Sequence, residues 1–150
     1  PYETYGRSPL ENSSFVVSSA NFNEKIHGKG FVARLSGSTA EFLQMWELMM
    51  NGDKLFTMQD GTLTFKLAPA IPAYLVKDDG KVETTLFGKI KVVYDCGSKR
   101  DLIPGQYAVT KYELVAADGS IESCEAATVS GEAAQRIRDG KVAEIRVTIQ

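Results

Sequence analysis

The hydrophobic pattern of this chain changes its period once, near residue 54. Over residues 42–50 the apolar side chains recur at helical spacing, whereas beyond Lys54 they alternate with polar ones at every second position. The first spacing is typical of an α-helix and the second of half-buried strands. We therefore expect a short helical piece followed by an all-β domain that begins near Lys54.

The helical piece has both a start and a stop signal. Ser38 and Glu41 fit a capping box, in which the serine accepts from first-turn amides and the glutamate reaches back. Asn51 and Gly52 supply a left-handed stop. The apolar residues between these signals are Phe42, Leu43, Met45, Trp46, Met49 and Met50. They cover more than half of the helix circumference, so we expect Trp46 and its neighbours to be buried core rather than a sugar-stacking platform.

The region after residue 54 contains about seven short segments with strand spacing. These segments are 55–58, 62–67, 81–87, 89–94, 106–116, 120–126 and 142–149. Asp60-Gly61 and Asp118-Gly119 predict hairpin turns, and a short helix is expected from about residue 130 to Arg138. Many short strands at this spacing predict a β-sandwich.

Charge and composition exclude several classes of protein. The 150 residues carry 17 basic and 19 acidic side chains, so the basic face of a general nucleic-acid-binding protein is not expected. No apolar run approaches the roughly 18 residues that span a bilayer, so we expect no membrane segment. The start at Pro1 lacks the basic region of a signal peptide, and we expect a cytoplasmic protein.

The thiols and the single histidine predict neither a metal site nor a catalytic pair. Cys96 and Cys124 lie far apart in the sequence, and His27 is the only histidine, so no tight Cys/His metal spacing exists. We expect two free, half-buried thiols, while one disulfide stays open if the two strands are neighbours.

Residues 1–35 form an irregular, polar segment that leads to a candidate anion site. Ser36 and Gly37 precede the helix, where free amides and the helix dipole favour phosphate or carboxylate. The alternative is that the N-cap satisfies only the amides of its own helix and that no anion binds there. Cationic residues in the preceding loops could complete the site, and two tyrosines could face a sugar. These loop residues are Tyr2, Tyr5, Arg7, His27, Lys29 and Arg34, with His27 expected to be exposed.

The order of several short motifs resembles the C-terminal end of the cellobiose phosphorylase family of inverting glycoside phosphorylases. The motifs are Pro1-Tyr2-Glu3-Thr4-Tyr5, Leu35-Ser36-Gly37-Ser38-Thr39, a helix ending in Gly52, Asp60-Gly61-Thr62-Leu63 and Pro69-Ala70-Ile71-Pro72. The resemblance covers residues 1 to about 95. It implies that residues 1–53 are the loop and last helix of a catalytic (α/α)₆ barrel. Residues 54–150 would then be a jelly-roll-like C-terminal β-sandwich.

The resemblance also implies roles for individual residues. The family's Thr-Gly before the last helix contacts phosphate, and Ser36-Gly37 stand at those positions with the hydroxyl retained. The family's general acid lies upstream and has no match here, so we predict no catalytic residue and no activity for the chain alone. The implied partners are the rest of the barrel and an oligosaccharide, with inorganic phosphate as co-substrate and no further cofactor. Assembly as a homodimer is left open.

Two other functions remain open from the sequence. The chain could be a non-catalytic module, either carbohydrate-binding or structural, or the parent could be a hydrolase in which water replaces phosphate. The burial of the helix over residues 38–51 distinguishes a non-catalytic module from a barrel fragment. A free-standing module would bury this helix in its own core, whereas a fragment would leave an apolar face exposed.

Overall fold

The computed structural model describes residues 14–32 and 36–150. The chain divides into two compact units, Pro1–Gln44 and Met45–Gln150, and the division falls inside helix α1 (Ser36–Asn51). In the first unit, strands β1 (Ser14–Val16) and β2 (Gly30–Val32) pair antiparallel. A 3₁₀ turn, Glu24–Ile26, lies between them. Part of the segment expected to be irregular is therefore a short hairpin, built on two apolar runs.

The second unit contains two sheets and a second helix. The three-stranded sheet has the order β3-β4-β9, and the five-stranded sheet has the order β5-β6-β10-β7-β8. The strands are β3 (Phe56–Gln59), β4 (Thr62–Phe65), β5 (Lys81–Leu86), β6 (Ile90–Asp95), β7 (Val109–Val115), β8 (Ile121–Cys124), β9 (Val129–Ser130) and β10 (Glu144–Ile149). Helix α2 (Gly131–Arg138) lies between β9 and β10, and a 3₁₀ turn, Ala73–Leu75, follows β4. The prediction of a mainly β fold is confirmed.

Each predicted strand segment overlaps an observed strand, because alternation and turn residues are local signals. Pairing between distant strands is not local, and the sequence did not predict it. Strand β10 lies in the middle of the five-stranded sheet, parallel to β6 and antiparallel to β7. The two-residue strand β9, which pairs with β4, was also missed.

The core of the second unit lies between the inward faces of its sheets and helix α2. Along β6, Ile90, Val92 and Tyr94 are buried while the residues between them are more exposed, and β10 repeats this alternation. The ring of Phe65 in the smaller sheet contacts Tyr112 in the larger one edge-on, with 6.1 Å between ring centroids. Alternating burial of this kind is the main source of the free energy that stabilises the unit.

The topology excludes a disulfide within the chain. Cys96 follows β6 and Cys124 ends β8, and both thiols are free. The two strands are three positions apart in the sheet, about 14 Å at the usual strand spacing. A disulfide needs Cα atoms within about 7 Å. The expectation of free thiols is confirmed, although Cys96 is fully buried.

Candidate functional site

The last turn of helix α1 belongs to the unit Met45–Gln150 and is bonded to the rest of that unit, residues 52–150, through its carbonyl groups. We call residues 52–150 the β-rich unit. The final carbonyls of a helix have no donors within the helix and need partners from elsewhere. The amide of Ala70 donates to the Met49 carbonyl at 2.7 Å, and that of Ala68 donates to Asn51 at 3.0 Å. The hydroxyl of Tyr94 donates to the Met50 carbonyl at 2.7 Å. Three consecutive carbonyls are thus fixed by the segment after β4 and by strand β6.

Three tyrosine hydroxyls take part in this joint. Besides Tyr94, Tyr107 donates to the Pro69 carbonyl at 2.6 Å, and Tyr112 accepts from the Leu67 amide at 3.0 Å. Burial raises the pKa of Tyr107 and Tyr112 to about 12, and it raises the pKa of Tyr94 well above 10. The tyrosines are therefore neutral donors and acceptors at physiological pH, and their role is to hold the backbone of residues 50–69.

Gly52 completes the joint because any other residue would be strained there. Its φ of +94° lies in the left-handed region that side chains rarely adopt. A Cβ atom at this position would lie 3.0 Å from both the Cβ and the carbonyl oxygen of Ala68. The chain therefore leaves the helix at a fixed angle, in contact with the segment after β4.

The apolar face of α1 is exposed, contrary to the expectation that it is buried core. The exposed fraction is 63% for Phe42, 65% for Met45 and 40% for Trp46, while Met49 is half-buried. These four residues, spaced i, i+3, i+4 and i+7, form one stripe on the helix, which we call the α1 stripe. The sequence analysis was wrong here because helical periodicity identifies an apolar face but not what covers it.

The structure describes only part of the predicted phosphate-binding and substrate-loop set. Helix α1 begins at Ser36, two residues before the predicted cap at Ser38, so Ser36 and Gly37 belong to its first turn. Their backbone is described and their side chains are not. Tyr2, Tyr5, Arg7 and Arg34 lie outside the described residues.

His27 is half-buried in the loop of the β1–β2 hairpin, not exposed as expected. Its Nε2 is 2.7 Å from the carbonyl oxygen of Asn21. A carbonyl only accepts, so this nitrogen carries the proton in the neutral ring and Nδ1 is left as an acceptor. The ring is thus held by its own hairpin. Lys29, another cation of the predicted set, is exposed.

A belt of ion pairs crosses the outer face of the five-stranded sheet. Its side chains alternate in sign, with successive N–O distances between 2.6 and 3.9 Å. In order they are Lys77, Glu83, Lys91, Glu144, Arg146, Glu113, Lys111 and Glu125. The neighbouring lysines lower the pKa of the Glu83 and Glu113 carboxyls. A general acid needs the opposite shift, so these carboxylates are unsuited to protonating a leaving group.

Neither a metal-binding cluster nor a membrane-spanning helix is found among the described residues. In residues 14–32 and 36–150, His, Cys, Asp and Glu side chains form no group of three that could hold a metal ion. Among the same residues, no helix combines the length and apolarity that crossing a bilayer requires.

The tyrosine joint is the element that the sequence analysis missed. Tyr94 and Tyr112 occupy inward positions of strands, and their alternation marks them only as core residues. Their hydrogen bonds reach residues 44 and 45 positions away, which no local pattern reveals.

No protein-family model, curated protein or solved structure matches this chain.

Proposed function

We propose that this chain is the C-terminal part of a glycoside phosphorylase similar to cellobiose phosphorylase. In this proposal, α1 is the last helix of the (α/α)₆ barrel, and the β-rich unit is the jelly-roll-like sandwich that follows it. The observation that carries the proposal is the α1 stripe. A helix that exposes Phe42, Met45 and Trp46 leaves a large apolar area in water, which a folded protein normally covers.

The joint at the end of α1 supports the same proposal. Bonds to the carbonyls of Met49, Met50 and Asn51 fix the last turn of the helix on the β-rich unit, while Met45 and Trp46 stay exposed. A helix that belonged only to this unit would turn its apolar stripe toward the core. Here the β-rich unit holds the helix by its last turn, as expected of a domain that packs against the end of a barrel.

The non-catalytic alternative, a carbohydrate-binding sheet face, is less well supported. Carbohydrate platforms stack sugars on exposed aromatic rings. On the five-stranded sheet the outward positions of the described strands carry the ion-pair belt and contain no aromatic residue, since Tyr94 and Tyr112 face inward.

In the proposed reaction, the parent enzyme cleaves a glucoside with inorganic phosphate and inverts the anomeric centre. A carboxylic acid from the upstream barrel protonates the leaving oxygen, and phosphate takes the place that water has in an inverting hydrolase. The first-turn amides of α1, at Ser36 and Gly37, bind the phosphate together with the positive end of the helix dipole. The candidate sugar contacts are the loop residues Tyr2, Tyr5, Arg7, His27 and Arg34, and His27 offers Nδ1 as an acceptor for a sugar hydroxyl.

The test is phosphate dependence in the full-length enzyme at saturating sugar. Ser36→Ala removes the hydroxyl that the resemblance assigns to phosphate, and the loss of a hydrogen bond to a charged group should lower the apparent phosphate affinity by roughly one to two orders of magnitude. Ser36→Thr should be tolerated, and Gly37→Val should be worse than Ser36→Ala because its branched side chain crowds the anion. Ser98→Ala, at an exposed turn of the β-rich unit, is the matched control. An unchanged phosphate dependence in Ser36→Ala and Gly37→Val would refute phosphate binding at these two residues. Formation of sugar 1-phosphate by the 150 residues alone would refute the proposal that the general acid lies in the upstream barrel.

A further inference from the structure

The loop between β1 and β2 holds one aromatic ring almost entirely in water. Phe22 lies in the middle of this loop, residues 17–29, and is 97% exposed. The next most exposed large apolar side chain that the structure describes is Tyr74, at 79%. The other exposed residues of the loop are polar, charged or small. Both faces of the Phe22 ring are therefore open to a ligand.

Hydrogen bonds fix the backbone on both sides of Phe22. The Oδ1 atom of Asn21 accepts from the Asn23 amide at 2.9 Å, and that of Asn23 accepts from the Lys25 amide at 3.2 Å. The Asn21 carbonyl also accepts from Nε2 of His27 at 2.7 Å, and two backbone bonds of 2.9 Å join the ends of the loop. Because the backbone that carries the ring is already fixed, a ligand that packs on the ring loses little affinity to loop ordering.

The residues that hold this loop also supply hydrogen-bonding groups next to Phe22 in the sequence. Asn21 and Asn23 each use Oδ1 as the acceptor from a backbone amide, so neither side-chain amide can be reversed. Neither Nδ2 group donates to another described residue, and both are left as donors. His27 adds an acceptor, because its Nε2 carries the proton and Nδ1 does not. The loop thus combines one open aromatic ring with two amide donors and an imidazole acceptor.

We infer that Phe22 is a platform on which a sugar ring of the substrate stacks, an inference that rests on the proposed function. A pyranose ring has C–H groups on its faces and hydroxyls around its rim, so it matches a flat apolar ring that hydrogen-bonding groups accompany. An apolar protein or lipid surface fits less well, because covering Phe22 with it would also remove water from the amides of Asn21 and Asn23 without offering acceptors. The sugar contact proposed for His27 thereby extends to the ring of Phe22 in the same loop.

The experiment measures the binding of cellobiose to the full-length gene product by isothermal titration calorimetry without phosphate. Phe22→Ala should raise the Kd by roughly three- to tenfold, the range expected for the loss of one aromatic contact. Phe22→Trp should keep or strengthen binding, because a larger flat ring still stacks. Phe22→Leu should weaken binding nearly as much as Phe22→Ala, because its branched side chain is apolar but not flat. The matched control Tyr74→Ala removes another strongly exposed ring, on the 3₁₀ turn after β4, and should leave the Kd unchanged.

The other possible occupants of this position give different results. If Phe22 fills a pocket of a partner protein or of the upstream barrel, the Kd for cellobiose stays unchanged in Phe22→Ala, which would overturn the inference. Tolerance of Phe22→Leu together with loss of binding in Phe22→Trp would overturn it as well, since a closed pocket rejects the larger ring. A full-length gene product that does not bind cellobiose would also overturn it. Phosphate use is measured separately in the Ser36 variants, so the platform and the phosphate site fail independently.

Discussion

Replacing Tyr94 with phenylalanine tests the joint that holds helix α1 on the β-rich unit. The change removes one hydroxyl and keeps the ring, so packing around this fully buried side chain is nearly conserved. The Met50 carbonyl then loses the 2.7 Å hydrogen bond from Tyr94 and stays buried without a donor. Leaving a buried polar group unsatisfied costs about 1–3 kcal/mol. We therefore expect Tyr94→Phe to lower the free energy of unfolding by about 2 kcal/mol.

Urea unfolding followed by far-ultraviolet circular dichroism measures this loss. For a denaturant slope of roughly 2 kcal/mol/M, the midpoint should fall by about 1 M. Native-state hydrogen exchange adds a local readout, because the amides of Ala68 and Ala70, which donate to the same helix turn, should exchange faster. The matched control is Tyr74→Phe, since Tyr74 is 79% exposed and should change stability by less than about 0.5 kcal/mol. A Tyr94→Phe variant as stable as the Tyr74→Phe control would refute the reasoning.

Three further predictions follow from the same structure. Gly52→Ala should destabilise the chain by more than about 1 kcal/mol in urea unfolding, because strain at φ +94° adds to close contact with Ala68. The control Gly61→Ala also has a positive φ, but no atom lies within 4 Å of its added Cβ, so it should cost less. An equal cost for the two variants would count against the close contact at Gly52. Burial raises the pKa of Tyr112 in the folded state to about 12, whereas in the unfolded chain it is about 10. The contribution of Tyr112 to stability is therefore complete below pH 10 and is lost as the pH rises to about 12. A urea midpoint that stays constant from pH 9 to 12 would contradict this. Glu144→Gln interrupts the ion-pair belt at a half-buried position on the sheet surface and should cost less than about 1 kcal/mol, a difference that 1 M salt should reduce. A larger loss that salt leaves unchanged would show that the belt does more than pair surface charges.

The sequence predicted the elements of this fold better than their arrangement. Alternation and Asp-Gly turns placed the hairpin around Asp60-Gly61 and strand β10 close to their observed bounds, because each signal depends only on neighbouring residues. The parallel pairing of β10 with β6 depends on the whole chain, since the two strands are about 50 residues apart. Pairing at that separation leaves no periodic trace in either strand.

The candidate site was predictable only where its chemistry is local. The spacing of Phe42, Met45 and Trp46 predicted a buried helix face, which is wrong, because whether an apolar face is core or surface depends on what packs against it. The helix start was placed two residues late because Ser38 and Glu41 form a plausible cap, whereas the helix begins at Ser36. The bond from Tyr94 to Met50 is a long-range result of folding that a pattern of residue types cannot express.

The central claim is that the α1 stripe is an interface with an upstream barrel, and methionine oxidation tests it most directly. Met45 on the stripe and Met58 on β3 are 65% and 64% exposed, so they should react at similar rates with hydroxyl radicals in the 150-residue chain. In the full-length gene product, mass spectrometry should show Met45 oxidation at least fivefold slower and Met58 oxidation unchanged. Equal oxidation of Met45 in both proteins, or a full-length gene product without upstream helices, would contradict the account.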